Sequence, residues 1–287
     1  MGSGEHLPRT VSPSPPGSLA GAVTARKQVS DRVAKFSRAA KGLGGVFVCV
    51  AAWETVRGLG FVDPRDLPSF VAILRATFHA IFEDELLASL MATLSSWALG
   101  LTLALFIGVV AGALLATMPR LERTTRPILE FLRPIPSVAL IPIALLALGI
   151  GLEMQLAMIA FASVWPILFS TKAGVEAIDP RFRETGRIFG LGRFGQFTRI
   201  TVPAALPAIT TGLRIASALA LVLAITVEML TGRPGIGFFL QNARLNGLVP
   251  EMWATIFVTG ALGFLINFAL LNLEAAIIPW SPEYRDL

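Results

Sequence analysis

Residues 184–203 read ETGRIFGLGRFGQFTRITVP, a basic stretch between two long apolar segments. Small residues at 185, 186 and 190 allow a helix backbone to lie close to a partner surface. Pro203 is expected to end that helix before the next apolar segment, because proline lacks an amide hydrogen and restricts the residue before it. The stretch therefore predicts a short helix suited to close contact, with an ordinary amphipathic loop as the alternative.

The composition is that of a polytopic membrane protein. Apolar residues make up 54% of the 287 residues and charged residues only 15%, which is too apolar for a soluble domain. The single cysteine, Cys49, excludes an internal disulfide and a thiolate metal site. His6 and His79 form no zinc-binding pattern, so no metal ligand is predicted. Most basic residues flank apolar segments, which explains them without nucleic acid.

Three regions and six membrane helices are predicted for this all-α chain. Residues 1–41 form an N-terminal tail, disordered at first and then basic and amphipathic, lying on an anionic leaflet or merely solvated. Residues 42–280 form one membrane domain, and residues 281–287 form a C-terminal tail. The apolar runs long enough, or nearly long enough, to span a bilayer are 42–60, 88–118, 134–151, 153–174, 207–230 and 253–278.

Prolines and residue spacing refine this prediction. Pro136 and Pro142 in the third run, and Pro166 in the fourth, should bend or break their helices. Small residues at four-residue spacing from Ala104 to Ala116 form a ridge that permits close helix packing. Apolar residues at helical spacing from Leu67 to Ile81 predict a non-spanning helix on the outer interface.

The distribution of lysine and arginine predicts the orientation. Segments on one side of the six runs carry 18 of these residues, whereas the loops 58–87 and 231–252 carry 4. Cytoplasmic segments of membrane proteins are enriched in positive charge. Both termini and the loop 175–206 are therefore expected in the cytoplasm.

The spacing from Glu184 to Pro203 resembles a known loop, E-A-A-x3-G-x9-I-x-L-P, of the inner-membrane permease subunits of ATP-binding-cassette importers. Thr185, Gly186 and Val202 replace residues of that pattern conservatively. The resemblance implies that the loop 175–206 docks a short helix into a cleft on an ATPase. The coupling residues that it implies are Arg183, Glu184, Thr185, Gly186, Gly190, Leu191, Ile200 and Pro203.

Further resemblance favours the branch of permeases that import nitrate, sulfonates and taurine. Residues 133–136 read RPIP, followed by Ile141-Pro142 and by Gly149-Ile150-Gly151, and are similar to the third helix of that branch. Glu228-Met229 and then Gly235-Ile236-Gly237 resemble its pattern at the outer end of the fifth helix. These features define a branch and do not define the ligand.

The fifth run carries polar residues on one helical stripe. The stripe consists of Thr210, Arg214, Ser217, Leu221, Ala224 and Glu228. Arginine facing lipid costs at least about 2.5 kcal/mol, so the stripe is predicted to face a cavity, a neighbouring helix or a second protomer, and to supply pathway or gate residues. Two alternatives stay open: Arg214 snorkels to the inner headgroups, and Glu228 caps or packs at the outer end.

No nucleotide site or catalytic set is predicted in this chain. Residues 190–195 read GLGRFG, but no strand pattern precedes them, as a dinucleotide-binding motif would require. The chain also lacks G-x-x-x-x-G-K-[ST], so it cannot hold ATP phosphates by that mechanism. A transport function would therefore need ATP and Mg²⁺ bound by a separate ATPase, and the chain is not expected to be an enzyme.

The resemblance implies the permease subunit of a type I ATP-binding-cassette importer in a bacterial inner membrane. It implies a homodimer with two ATPase subunits, fed by a periplasmic or lipid-anchored binding protein, that imports a small anion such as an alkanesulfonate, taurine or nitrate. One alternative is the same importer class with another small organic ligand, such as a vitamin precursor. Others are an ATPase-independent secondary transporter, for which inverted repeats are lacking, and a membrane scaffold.

Overall fold

The computed structural model describes residues 44–60, 62–63, 65–82 and 84–279. Regular structure in these residues is helical, which confirms the all-α prediction. The predicted tails 1–41 and 281–287 lie outside the described residues.

The described chain forms two compact units, one ending at Phe70 and one beginning at Val71. The first unit contains helix α1, over 44–58. Its Glu54 carboxylate pairs with Arg57 at 3.3 Å through one oxygen and accepts the Phe70 amide hydrogen at 2.7 Å through the other. The segment after α1 is thereby tied back onto this helix.

The second unit contains the remaining helices. They are α2 (Phe70–Ile81, whose first residue belongs to the first unit), α3 (Asp84–Thr117), α4 (Pro119–Leu132), α5 (Ile141–Leu148), α6 (Leu152–Glu176), α7 (Pro180–Ile188), α8 (Arg193–Gln196), α9 (Val202–Thr231), α10 (Ile236–Leu245) and α11 (Val249–Ile277). A 3₁₀ turn over Ser137–Leu140 precedes α5, and a π-helical segment over Phe197–Thr201 precedes α9. The twelve residues of α2 are too few to span a bilayer.

Helices α3, α6 and α9 form the core, and small residues bring their backbones together. A Cβ atom on Gly108 would lie 2.8 Å from Ile167 of α6, and one on Gly112 would lie 2.8 Å from Thr171. Both distances are shorter than real Cβ contacts, so only glycine fits. The predicted small-residue ridge is therefore a packing surface. Gly212 of α9 approaches α6 in the same way, with a Cβ position 2.7 Å from Ser170.

Four described helices are long and apolar enough to cross a membrane, namely α3, α6, the stretch Phe194–Thr231 and α11. Helices α4 and α5 form a pair that passes the same test together but bends by 85°, which gives up to five spans. The predicted count of six stays a prediction, because the run 42–60 begins outside the described residues.

The prolines of these runs have different outcomes. The run 134–151 breaks as predicted, because the chain turns at Pro136 and only the eight residues of α5 follow the 3₁₀ turn. Helix α6 does not break at Pro166. The prediction that Pro203 separates the loop from the membrane helix was wrong. Pro203 is the second residue of α9, where a missing amide hydrogen is tolerated. The π-helical segment leads into α9 without a gap.

Candidate functional site

The motif loop forms helix α7 and ends in a glycine turn. The Asp179 carboxylate caps the start of α7 by accepting the Arg181 amide hydrogen at 2.9 Å. At the other end Gly190 has φ +70°, a left-handed conformation that side chains disfavour. The Leu191 amide then donates to the Gly186 carbonyl at 2.9 Å. A Cβ atom placed on Gly190 would have no atom within 4 Å. Glycine is therefore required here by the left-handed backbone of the turn and not by a close neighbour.

Gly186 holds α7 against the segment that enters α9. A Cβ atom on Gly186 would lie 2.6 Å from Ile200 Cδ1 and 3.7 Å from Leu191 Cδ1. The Gln196 side-chain amide also donates to the Leu191 carbonyl at 3.0 Å. The structure thus brings Gly186, Leu191 and Ile200 of the predicted coupling set together. The small residue expected to meet a partner protein meets the chain's own Ile200 instead.

The loop also exposes four large apolar side chains. We call these four residues the loop surface: Phe182, Ile188, Phe189 and Phe194, which are 62%, 84%, 79% and 80% exposed. Glu184 and Thr185 are also exposed, and Glu184 lines a 370 Å³ cavity with Glu176 and Arg187. Pro203 is half-buried, and the backbone of Arg183 lies within α7. Exposed aromatic residues on a loop rich in arginine are typical of a protein-binding surface.

The predicted stripe on α9 divides into two parts. In the N-terminal half of α9, Thr210 Oγ1 donates to Glu274 Oε1 at 2.8 Å, and the Arg214 guanidinium pairs with the other oxygen of the same carboxylate. Glu274 lies on α11 and is 5% exposed. Towards the C-terminal end of α9 the stripe is buried in this chain, with Ser217, Leu221, Ala224 and Glu228 exposed by 3%, 8%, 0% and 0%. Its role in a pathway stays a prediction.

The Glu228 carboxylate is surrounded by hydrogen-bond donors from three other parts of the fold. Thr93 Oγ1 of α3 donates to it at 2.9 Å, and Gln155 Nε2 of α6 donates at 3.0 Å. The Gly237 amide donates at 3.0 Å, and the Ile236 amide donates to Thr93 Oγ1 at 2.9 Å. This arrangement satisfies the buried carboxylate and joins α10 to α3, α6 and α9.

The sequence interpretation missed Thr93 and Gln155. Each is a polar side chain within an apolar run. Polar residues in membrane helices commonly pair with one another, so this pattern could have identified both. The structure buries Glu228 and satisfies its carboxylate within this chain, and the gate role of this residue stays a prediction. The structure also gives Arg214 a partner on α11.

The exposed side of α9 borders a groove. Ile215 and Leu219 line it from α9, and Pro166 and Phe169 line it from α6. Arg133, at the bend between α4 and α5, completes it, with its guanidinium carbon 4.7 Å from the centre of the Phe169 ring. The groove has a volume of 440 Å³.

The sequence pattern of the family described as "Binding-protein-dependent transport system inner membrane component" matches residues 104–280. The chain belongs to this family. It is 31% identical to the nitrate import permease NrtB of Synechocystis sp., over 76% of this chain and 82% of that protein. It is also 31% identical to the formylaminopyrimidine transport permease ThiX of Halalkalibacterium halodurans, over 79% of this chain and 90% of that protein.

The fold agrees with this assignment. A chain of the MetNI methionine ABC transporter, solved in inward-facing conformations, matches with a TM-score of 0.58 and 21% identity, over 67% of this chain and 96% of that one. The predictions of an importer permease and of its fold are therefore confirmed. The chain is a multi-pass inner-membrane transport subunit.

Proposed function

We propose that this permease subunit couples to separate ATPase chains through the loop surface on α7 and α8. The observation that supports this proposal is the exposure of Phe182, Ile188, Phe189 and Phe194 on an otherwise polar loop. Apolar groups of this size are normally buried by a partner. ATP and Mg²⁺ are held by the ATPase chains, and this chain contributes no catalytic group.

The contact between α7 and α9 supports transmission of movement from the ATPase to the membrane. Gly186 packs against Ile200, and the π-helical segment continues from Ile200 into α9. Displacement of α7 by closing ATPases therefore moves the inner end of α9 as well. Two permease copies and two ATPases form the complex, both termini lie in the cytoplasm, and a binding protein delivers the ligand from outside.

The proposed ligand is a small anion of the alkanesulfonate, taurine or nitrate type. The relative NrtB is a nitrate permease, and the groove beside α9 carries Arg133. The path is proposed to follow this groove on the exposed side of α9, beside the buried part of the stripe. The relative ThiX keeps a second candidate open, in which the ligand is a formylaminopyrimidine.

The test replaces one apolar residue of the loop surface by a charged one. In Ile188→Glu, the permease should insert into the membrane normally, while copurification of the ATPase should fall at least about tenfold, because a buried unpaired charge opposes docking. The matched control is Leu245→Glu on α10, at a residue 74% exposed in a predicted outer loop. Equal loss of the ATPase in both variants, or in neither, would contradict the proposed docking surface.

A further inference from the structure

The groove beside α9 has a lining suited to a negatively charged ligand. Apolar side chains form its walls, and Ser137 and Ser170 place hydroxyl groups on it. Among the described residues that line the groove, Arg133 is the only charged one. A single positive charge in a largely apolar wall attracts an anion more strongly than the same charge in bulk water, since screening is weaker there.

Among the described residues, Arg133 has no carboxylate partner, unlike the nearby Arg126 and Lys172. Arg126 pairs with Glu130 at 2.8 Å, and Lys172 pairs with Glu176 at 3.0 Å. Arg133 forms no ion pair with any described carboxylate, and its guanidinium lies over the Phe169 ring at 4.7 Å. Contact with the ring leaves the hydrogen-bond donors of the guanidinium unoccupied by any described acid.

We propose that Arg133, Ser137 and Ser170 form a transient binding site for a small oxyanion during translocation. This inference rests on the proposed import of an anion and assigns to it the residues that contact the ligand. The planar donors of a guanidinium match the oxygens of a nitrate, carboxylate or sulfonate group. One exposed cation with two hydroxyl groups binds weakly, which a translocation site requires because the ligand must leave it again.

A phospholipid headgroup presents the same oxyanion chemistry, so the test must separate the two sources. The full-length chain carries Cys49→Ala and a single new cysteine in the groove, Ser137→Cys, and is purified in non-ionic detergent. Two thiol reagents of similar size are compared: 2-sulfonatoethyl methanethiosulfonate, an anion, and 2-(trimethylammonium)ethyl methanethiosulfonate, a cation. The measurement is the ratio of their labelling rates. It needs no ATPase, so its outcome is independent of whether docking occurs.

Arg133→Gln should lower the ratio of anionic to cationic labelling about tenfold. A unit charge a few ångströms away changes the local concentration of each reagent about threefold, in opposite directions. Arg133→Lys should restore most of the ratio. The matched control, Arg123→Gln, removes the same charge from α4 ten residues earlier, roughly 15 Å along a helix, and should change the ratio by less than about twofold. Sodium nitrate should slow labelling in chains with Arg133.

The outcomes decide between the alternatives. An unchanged ratio in Arg133→Gln, or an equal fall in Arg123→Gln, would overturn the site, because the effect would then be absent or due to general surface charge. If phosphatidylglycerol slowed labelling and nitrate did not, the groove would be a lipid-binding site, and the proposed site for a transported anion would be overturned. The labelling experiment is repeated with Ser170→Cys on α6 in place of Ser137→Cys, so that poor reactivity of one cysteine does not decide the result. The same ratios are expected at both positions.

Discussion

Two regions that flank the length of α9 carry polar and apolar groups in opposite arrangements: the Glu228 cluster near its C-terminal end, and the loop surface that precedes its N-terminal end. Near the C-terminal end of α9 the charged group, Glu228, is buried, and donors from α3, α6 and the start of α10 surround it. Before the N-terminal end of α9, the loop surface exposes large apolar groups such as Phe189 and Phe194. A buried, fully paired charge indicates a fixed contact within the chain. Exposed apolar groups on a polar loop outside the long apolar helices indicate a surface for a partner.

The largest expected effect is at the fixed contact. Glu228→Ala should lower the free energy of unfolding by about 3 kcal/mol or more, because three buried donors lose their acceptor. Thermal unfolding in detergent measures this change. The control is Glu130→Ala, since Glu130 is 64% exposed in its pair with Arg126, and such pairs contribute less than about 1 kcal/mol. Similar stability in both variants would contradict the role of Glu228 as a fixed contact.

A tryptophan comparison separates the buried part of the stripe from the exposed side of α9. Ala224→Trp should destabilise the protein by about 1–3 kcal/mol or more, because Ala224 is 0% exposed between α3 and α6. Leu219→Trp should change stability little and reduce uptake, because Leu219 is 39% exposed and lines the groove.

Unfolding temperature and ligand uptake by the reconstituted complex are measured for each variant. A normal unfolding temperature with lost uptake in Ala224→Trp or Ser217→Trp would place the predicted stripe in the pathway after all. Normal uptake in Leu219→Trp would remove the exposed side of α9 from the pathway.

The smallest expected effect is at the glycine turn of the loop. Gly190→Val should cost about 1–2 kcal/mol, because valine disfavours the left-handed conformation at φ +70°. If the turn positions the loop surface, ATPase binding should weaken about tenfold. Gly192→Val is the control, since Gly192 has no positive φ and no atom within 4 Å of an added Cβ. Equal ATPase affinity in both variants would show that the turn does not control docking.

The sequence predicted the helical class, the position of the loop and the small-residue ridge, because these depend on local composition and spacing. It did not predict that Gly186 meets Ile200, since residues fourteen apart are brought together only by the turn at Gly190. The sequence also did not predict the π-helical segment before Pro203. Proline indicates a boundary, and a π-helical entry has no equally simple residue signature.

The candidate site was only partly visible in the sequence. The stripe was found by its spacing, but spacing along one helix does not reveal which neighbour covers it. The partners of Glu228 lie 135 residues away at Thr93 and 73 residues away at Gln155. The sequence places Arg133 in a family pattern but does not reveal that it lacks a carboxylate partner among the described residues, because that depends on where the carboxylates of other helices lie.

The position of the Glu228 cluster along the chain has a consequence for biogenesis. Ribosomes synthesise Thr93 first, then Gln155 and Glu228, and Gly237 last. Thr93 and Gln155 therefore enter the bilayer before the carboxylate that they bind exists, while isolated polar groups in lipid are unfavourable. Until Glu228 emerges, the partners available to them are the Ser89 carbonyl for Thr93 and the Ser96 hydroxyl for Gln155. A nascent chain truncated before residue 228 is therefore expected to pack less stably and to be a substrate for membrane proteases.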